Sequence, residues 1–64
     1  MAYKKVPITA AKRISEQYDK NQVIIVCWDK VHGMTHITTY GINKEECRQA
    51  AAGGKAVAKA LGLV

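Results

Sequence analysis

A chain of 64 residues has room for one domain with a small core, and its longest apolar run, Val23 to Trp28, is too short to span a membrane. Ten Lys and Arg residues against five Asp and Glu give a net charge of +5, which favours nucleic acid or an acidic protein surface as a partner. The two cysteines lack metal-ligand spacing and no secretory signal is recognisable, so we expect reduced thiols, no cofactor and a soluble, cytoplasmic protein.

The first predicted element is an amphipathic helix. We expect residues 1–6 to form a flexible basic tail, and Pro7 marks its boundary because the fixed φ of proline suits the first turn of a helix. Thr9 is the predicted N-cap. From Ile8 onwards, apolar residues recur at spacings of three and four, which predicts a helix of about three turns. These apolar positions are Ala11, Ile14 and Tyr18.

A β-hairpin is predicted over residues 22–41, where two runs rich in branched and aromatic residues meet at a loop that ends in Gly33. A four-residue loop over residues 30–33 sets the register of the two strands. That register pairs Cys27 with His36, Ile25 with Thr38 and Val23 with Tyr40. These six residues form one face of the hairpin.

We assign the other face to the helices, because its apolar residues are more contiguous, although the reverse assignment stays open. Its members are Ile24, Val26, Trp28, Thr35, Ile37 and Thr39. The first strand is apolar on both faces, and a two-stranded sheet has open edges. We therefore expect a second protomer to cover the outer face or to extend the sheet, which makes the protein a homodimer.

A second helix begins after Gly41, where Asn43 and Glu46 form a capping pair, and Gly62 stops it. We expect Gly54 to pack closely against the sheet. The predicted sheet-facing residues are Cys47, Ala50, Gly54, Val57, Ala58 and Leu61. Small residues are predicted on the side away from the core, namely Ala52, Gly53, Ala56 and Ala60. The predicted fold is a single α+β domain in the order helix, strand, strand, helix, with one layer of sheet and one of helices.

Basic residues form a narrow stripe along the second helix, at Lys44, Arg48, Lys55 and Lys59. Such a stripe is often only a solvated face. Together with Lys12, Arg13 and the basic tail, it is also the candidate site for binding a nucleic-acid backbone. Few aromatic residues are present, which argues against a stacking platform for single strands.

No enzyme or metal site is predicted. Cys27 and His36 lie opposite each other in the predicted hairpin, but no orienting carboxylate or oxyanion loop accompanies them. A zinc site built from Cys27, His32, His36 and Cys47 would lack the paired ligands two to four residues apart that structural zinc usually has. We expect the thiols to be apolar core residues.

Two resemblances add to these observations. The strings PITAAKRI at residues 7–14 and THITTYG at residues 35–41, with Cys47 and the Ala-rich run after it, resemble a family of short uncharacterised proteins encoded by bacteriophages and prophages. That resemblance implies a cytoplasmic viral accessory protein that binds a host or defence component. The string NKEECRQAAAGGKAVAKAL at residues 43–61 resembles the second helix of double-stranded-RNA-binding domains, in which a basic cluster opens an Ala-rich helix behind a sheet.

Two non-enzymatic functions follow. In the first, the protein binds a nucleic-acid backbone through the basic stripe. In the second, it is a protein-binding module that modulates a host or defence protein through the outer hairpin face, at His36, Thr38 and Tyr40.

Overall fold

The computed structural model describes residues 4–63 of the chain. Helix α1 (Ile8–Tyr18) is followed by strands β1 (Gln22–Asp29) and β2 (Met34–Gly41) and by helix α2 (Lys44–Ala60). The strands form an antiparallel two-stranded sheet. The predicted α+β class and element order are therefore confirmed.

The predicted register of the hairpin is also confirmed. Cys27 lies opposite His36, Ile25 opposite Thr38 and Val23 opposite Tyr40, within eight consecutive pairs. Gly33 closes the four-residue loop with a φ of 64°, a left-handed conformation that glycine adopts without steric cost.

The two helices lie on opposite faces of this hairpin, and no Cα atom of α1 lies within 8 Å of one in α2. On one face, the hydroxyl of Thr38 donates a hydrogen bond to the carbonyl of Val6, just before α1. On the other face, Gly54 of α2 packs against Thr39 and Ile37. Because successive strand residues point to opposite faces, these contacts place a helix on each side. The predicted single layer of helices is wrong, and α1 is what covers the second apolar face of β1.

Helix α1 begins one residue after Pro7, which is its N-cap, so the prediction of Thr9 as N-cap is wrong. Its buried residues are Ala11 and Ser15, whereas Ile14 and Tyr18, two of the three predicted apolar positions, are exposed. The Ser15 hydroxyl donates to the carbonyl of Lys20 at 2.5 Å. That bond satisfies the hydroxyl and lets a small polar residue occupy the centre of the packed face.

Helix α2 begins with half of the predicted capping pair. The Asn43 side chain accepts a hydrogen bond from the Glu46 amide at 2.9 Å, as expected for an N-cap. The Glu46 carboxylate forms no hydrogen bond with the Asn43 amide. It instead accepts a hydrogen bond from the Gln22 side chain at 2.6 Å, which links the start of α2 to the start of β1. Gly62 ends the helix with a φ of 75°.

Both glycines in the middle of α2 face the sheet. A β-carbon at Gly54 would lie 2.8 Å from Cγ2 of Thr39, which confirms the predicted close packing. A β-carbon at Gly53 would lie 2.9 Å from Cδ1 of Ile24. The prediction that Gly53 lies away from the core is therefore wrong.

The core is small, and among the described residues no large side chain is fully buried. Its apolar members are Ala11, Val23 and Ala50, and its polar members are Ser15 and Thr38. Val6 lies in the predicted flexible tail, yet it is held on the hairpin by two hydrogen bonds, one donated to His36 and one accepted from Thr38. Residues 1–3 of that predicted tail lie outside the described residues. Within residues 4–63, neither helix has the length and apolar character that crossing a bilayer requires.

Candidate nucleic-acid interface

The basic stripe consists of Lys44, Arg48, Lys55 and Lys59, and all four residues lie within α2 and are exposed. At 100° per residue, they occupy a sector of roughly 60° on the helix circumference. At 1.5 Å per residue, the stripe is roughly 22 Å long. The four cations therefore lie on one exposed side of α2.

Packing against the sheet sets the direction in which the stripe faces. Ala50 and Gly54 are the buried residues of α2, and the centre of the stripe lies roughly 130° around the helix from them. The stripe accordingly faces solvent. The hydrogen bonds from Gln22 to Glu46 and Gln49 hold the first turns of α2 on the sheet and fix this rotation.

Within the described residues, Arg48 is the only stripe member in an ion pair. Its guanidinium lies 3.2 Å from a carboxylate oxygen of Glu45, and both side chains are mostly exposed. The other Glu45 oxygen accepts a hydrogen bond from Gln49 at 3.1 Å. An exposed pair of this kind is weak, so Arg48 can exchange Glu45 for another anion at little cost.

The two other predicted contact residues, Lys12 and Arg13, lie elsewhere. They are exposed on α1, which packs on the opposite face of the hairpin. Arg13 lies roughly 180° around the helix from the buried residues Ala11 and Ser15, so it points away from the sheet and from α2. The predicted site is therefore divided, and α2 alone carries a continuous basic surface.

The alternative site, on the hairpin face that carries His36, Thr38 and Tyr40, is partly covered by α1 and the segment before it. Thr38 is 5% exposed, and its hydroxyl is occupied by Val6. Nε2 of His36 accepts a hydrogen bond from the Val6 amide at 3.0 Å. The chain therefore covers this face at Thr38, whereas His36 and Tyr40 are half-buried, and a partner-binding role of this face stays a prediction.

The thiol of Cys27 and the imidazole of His36 belong to directly opposite residues. Nε2 of His36 accepts a hydrogen bond from the Val6 amide, so that nitrogen holds the segment before α1 on the hairpin. Cys47, predicted to face the sheet, is exposed. No cluster of three or more His, Cys, Asp or Glu side chains able to hold a metal ion occurs in residues 4–63.

The hairpin loop contains a pair that the sequence analysis did not identify. Oδ2 of Asp29 lies 2.8 Å from Nδ1 of His32, and Oδ1 accepts the His32 amide at 3.1 Å. The side-chain hydrogen bond with His32 is the main reason why the pKa of Asp29 lies below its ordinary value, and the backbone hydrogen bond lowers this pKa further. The position of Asp29, at the end of a strand and before a turn, is the feature of the sequence that could have predicted this pair. Asp side chains at such positions commonly form hydrogen bonds with the backbone of the turn.

A shallow groove of about 500 Å³ lies where the segment before α1 meets the outer edge of β2. Residues 5–8 form one wall and residues 37–39 form the other. The groove is open to solvent, and two of its polar groups, the Val6 carbonyl and the Thr38 hydroxyl, bond each other.

Comparisons of the chain with protein-family models, with curated proteins and with solved structures found no match. The resemblances to short phage proteins and to the second helix of double-stranded-RNA-binding domains therefore stay predictions. The exposed basic stripe on α2 is therefore the candidate binding site.

Proposed function

We propose that this protein binds the backbone of duplex nucleic acid, without catalysis, through the basic stripe Lys44, Arg48, Lys55 and Lys59 on the solvent side of α2. The observation that carries the proposal is the alignment of these four exposed cations along one helix that packs on the sheet. Phosphates recur at regular spacing along a duplex, so a straight line of cations can contact several of them at once.

The rest of the helix surface is compatible with close approach to a duplex. The side of α2 beside the stripe carries the exposed small residues Ala52 and Ala56, which present little bulk. Three of the four cations have no carboxylate partner within the described residues, so they would bind phosphates without first giving up an ion pair. The net charge of +5 adds long-range attraction for a polyanion.

Contacts of this kind would be tolerant of sequence, because phosphates carry no base information. The resemblance to short phage proteins supports a role as a viral accessory protein that binds nucleic acid in the cytoplasm of the host. The face carrying His36, Thr38 and Tyr40 supports a protein-binding role less well, because Thr38 is buried there and its hydroxyl is bonded to Val6.

The test is the salt dependence of duplex binding, followed by fluorescence anisotropy with labelled 20-base-pair DNA and RNA duplexes. Each neutralised phosphate releases condensed counterions, so the log of the affinity should fall against log salt with a slope of about −0.9 per contact on B-form DNA. The double variant Lys55→Gln, Lys59→Gln removes two stripe charges. We expect it to flatten the slope by about two units.

The matched control is Lys12→Gln, Arg13→Gln, which removes the same charge from the exposed side of α1. It should change the slope by much less than the α2 variant, since α1 lies on the opposite face of the hairpin. Equal effects of the two variants would show attraction by net charge alone. Saturable wild-type binding that the α2 variant retains unchanged would contradict the proposal.

A further inference from the structure

The outer edge of β1 lacks most of the devices that usually protect a sheet edge, and its one charged residue, Asp29, lies at the end of the strand. Residues 22–28 contain no charged residue and no proline. The strand pairs one-to-one with β2 over all eight positions, so no bulge twists its edge away. Natural edge strands are normally protected by such charges, prolines or bulges, since exposed amide and carbonyl groups can pair with another strand.

The two edges of the hairpin differ in their surroundings. The segment 5–8 lies beside the edge of β2, where it forms the wall of a groove. Along residues 23–28, no described segment other than β2 forms a backbone hydrogen bond with β1, and none of these residues lines that groove. The edge of β1 is therefore unpaired and lies away from the segment 5–8.

Apolar side chains line this open edge. Trp28 is 62% exposed and Ile24 is 37% exposed, and both lie on the face of β1 that α2 covers incompletely. Val26 lies between them on the same face and is half-buried. An indole that remains so exposed beside an unpaired strand edge is unusual for a residue that normally buries most of its surface.

We infer that β1 pairs antiparallel with β1 of a second copy of this chain, about a two-fold axis that passes at Val26. Such pairing places Trp28 of each copy opposite Ile24 of the other, with the two Val26 residues opposite each other. Side chains directly opposite on an antiparallel pair lie about 4.5–5.5 Å apart, close enough for the indole to cover the isoleucine. The result is a four-stranded sheet in the order β2, β1, β1, β2.

This pairing is self-complementary in charge and in apolar character, as a two-fold interface must be. On the face that α1 covers, it places Ile25 opposite Cys27. Beyond the apolar segment, Asp29 lies opposite Val23 and Lys30 opposite Gln22, so no like charges face each other. A second copy supplies every one of these contacts, whereas an unrelated strand would have to match them by chance.

The exposed area of the chain also fits a dimer. Its accessible surface is 4945 Å² for a mass of 7.0 kDa, whereas roughly 4,000 Å² is typical of a folded monomer of that mass. The excess is comparable with the roughly 800 Å² that each partner buries in an interface of standard size. Two further strands would also bring the sheet to the strand count at which sheets are independently stable.

The first test is sedimentation equilibrium of the full chain between about 1 and 100 µM, at 0.3 M salt to screen the net charge. We expect a dimer, and Trp28→Lys should weaken it about tenfold or more. Val31→Lys is the matched control, since Val31 is 82% exposed in the hairpin loop and lies off the strand. Circular dichroism checks that both variants fold. A wild-type monomer, or a Trp28→Lys dimer as tight as the control, would overturn the inference.

The second test addresses the register. In a background of Cys27→Ser and Cys47→Ser, the variant Val26→Cys places one thiol from each copy on the two-fold axis. Opposite strand residues have Cα atoms about 4.5–5.5 Å apart, within the range of a disulfide. Mild oxidation should therefore give a cross-linked dimer. The same change at Val31 should give none, and a cross-link that forms at position 31 but not at position 26 would overturn the inference.

Discussion

Gly54 and Thr39 are in direct contact across the boundary between α2 and the sheet, and a β-carbon at Gly54 would lie 2.8 Å from Cγ2 of Thr39. Real β-carbons essentially never come this close to another heavy atom, so a side chain at position 54 would displace the helix or the threonine. The contact brings α2 close to the sheet and thereby sets the orientation of the basic stripe on the other side of the helix.

We predict that Gly54→Ala destabilises the protein. Overpacking lowers the free energy of unfolding by about 1–3 kcal/mol, whereas the better helix propensity of alanine raises it by only about 1 kcal/mol. Urea unfolding should therefore show a net loss of about 1 kcal/mol. Thr39→Ser removes the methyl group in question, and in that background Gly54→Ala should no longer destabilise the protein. A loss that persists in the double variant would show that the clash lies elsewhere.

We predict the opposite sign for Gly53→Ala. The nearest atom to a β-carbon there is Cδ1 of Ile24, at 2.9 Å. Because this atom is the end of a flexible and partly exposed side chain, it can move aside. The gain in helix propensity should then dominate and raise the free energy of unfolding by up to about 1 kcal/mol. Thermal and urea unfolding of the single variant would measure it, and a loss above 1 kcal/mol would contradict the prediction.

The hydrogen bond between Thr38 and Val6 should contribute measurably to stability. Thr38→Val keeps the shape of the side chain but removes the donor for the Val6 carbonyl in a buried site. We expect a loss of about 1–3 kcal/mol in urea unfolding, together with faster hydrogen exchange at the Val6 amide. Thr35→Val is the control, because the Thr35 hydroxyl makes no hydrogen bond within the described residues; its effect should be small.

Stability should depend on pH through Asp29. The hydrogen bonds from His32 hold the pKa of Asp29 below its ordinary value in the folded protein. The folded state therefore binds its proton less readily than the unfolded state, and the stabilisation is present above about pH 4 and lost as the pH falls. Asp29→Asn should lower the free energy of unfolding at pH 6, and this loss should become smaller as the pH is lowered toward 2.5. Glu16→Gln, an exposed carboxylate on α1, is the control; an equal pH profile for both variants would contradict this prediction.

Glu45 should weaken nucleic-acid binding, if the proposed interface is correct. Its carboxylate lies 3.2 Å from the Arg48 guanidinium and carries the same sign as a phosphate. We predict that Glu45→Gln raises affinity for a duplex by up to about fivefold, which corresponds to about 1 kcal/mol. Stability should change by less than 1 kcal/mol because the pair is exposed. Anisotropy titrations at 0.1 M salt would measure the gain, and Glu16→Gln on α1 should give little.

The sequence by itself determined the local features of this protein. The four-residue loop and Gly33 define the hairpin register, because a turn of given length admits few strand pairings. The oxygen of Asn43 marks the start of α2, because the free amides of a helix terminus need an acceptor within three residues. The angular spacing of the basic stripe follows from helix geometry alone.

Only the tertiary structure decided what covers each face of the hairpin. Strand β1 is apolar on both sides, so its periodicity assigns no face to either helix. The choice depends on contacts between residues far apart in the chain, such as Val6 with Thr38, and on fits of single atoms, such as Gly54 against Thr39. Those contacts place Lys12 and Arg13 away from α2, which divides the predicted site. The energies involved arise from close packing and buried hydrogen bonds, which composition and spacing do not encode.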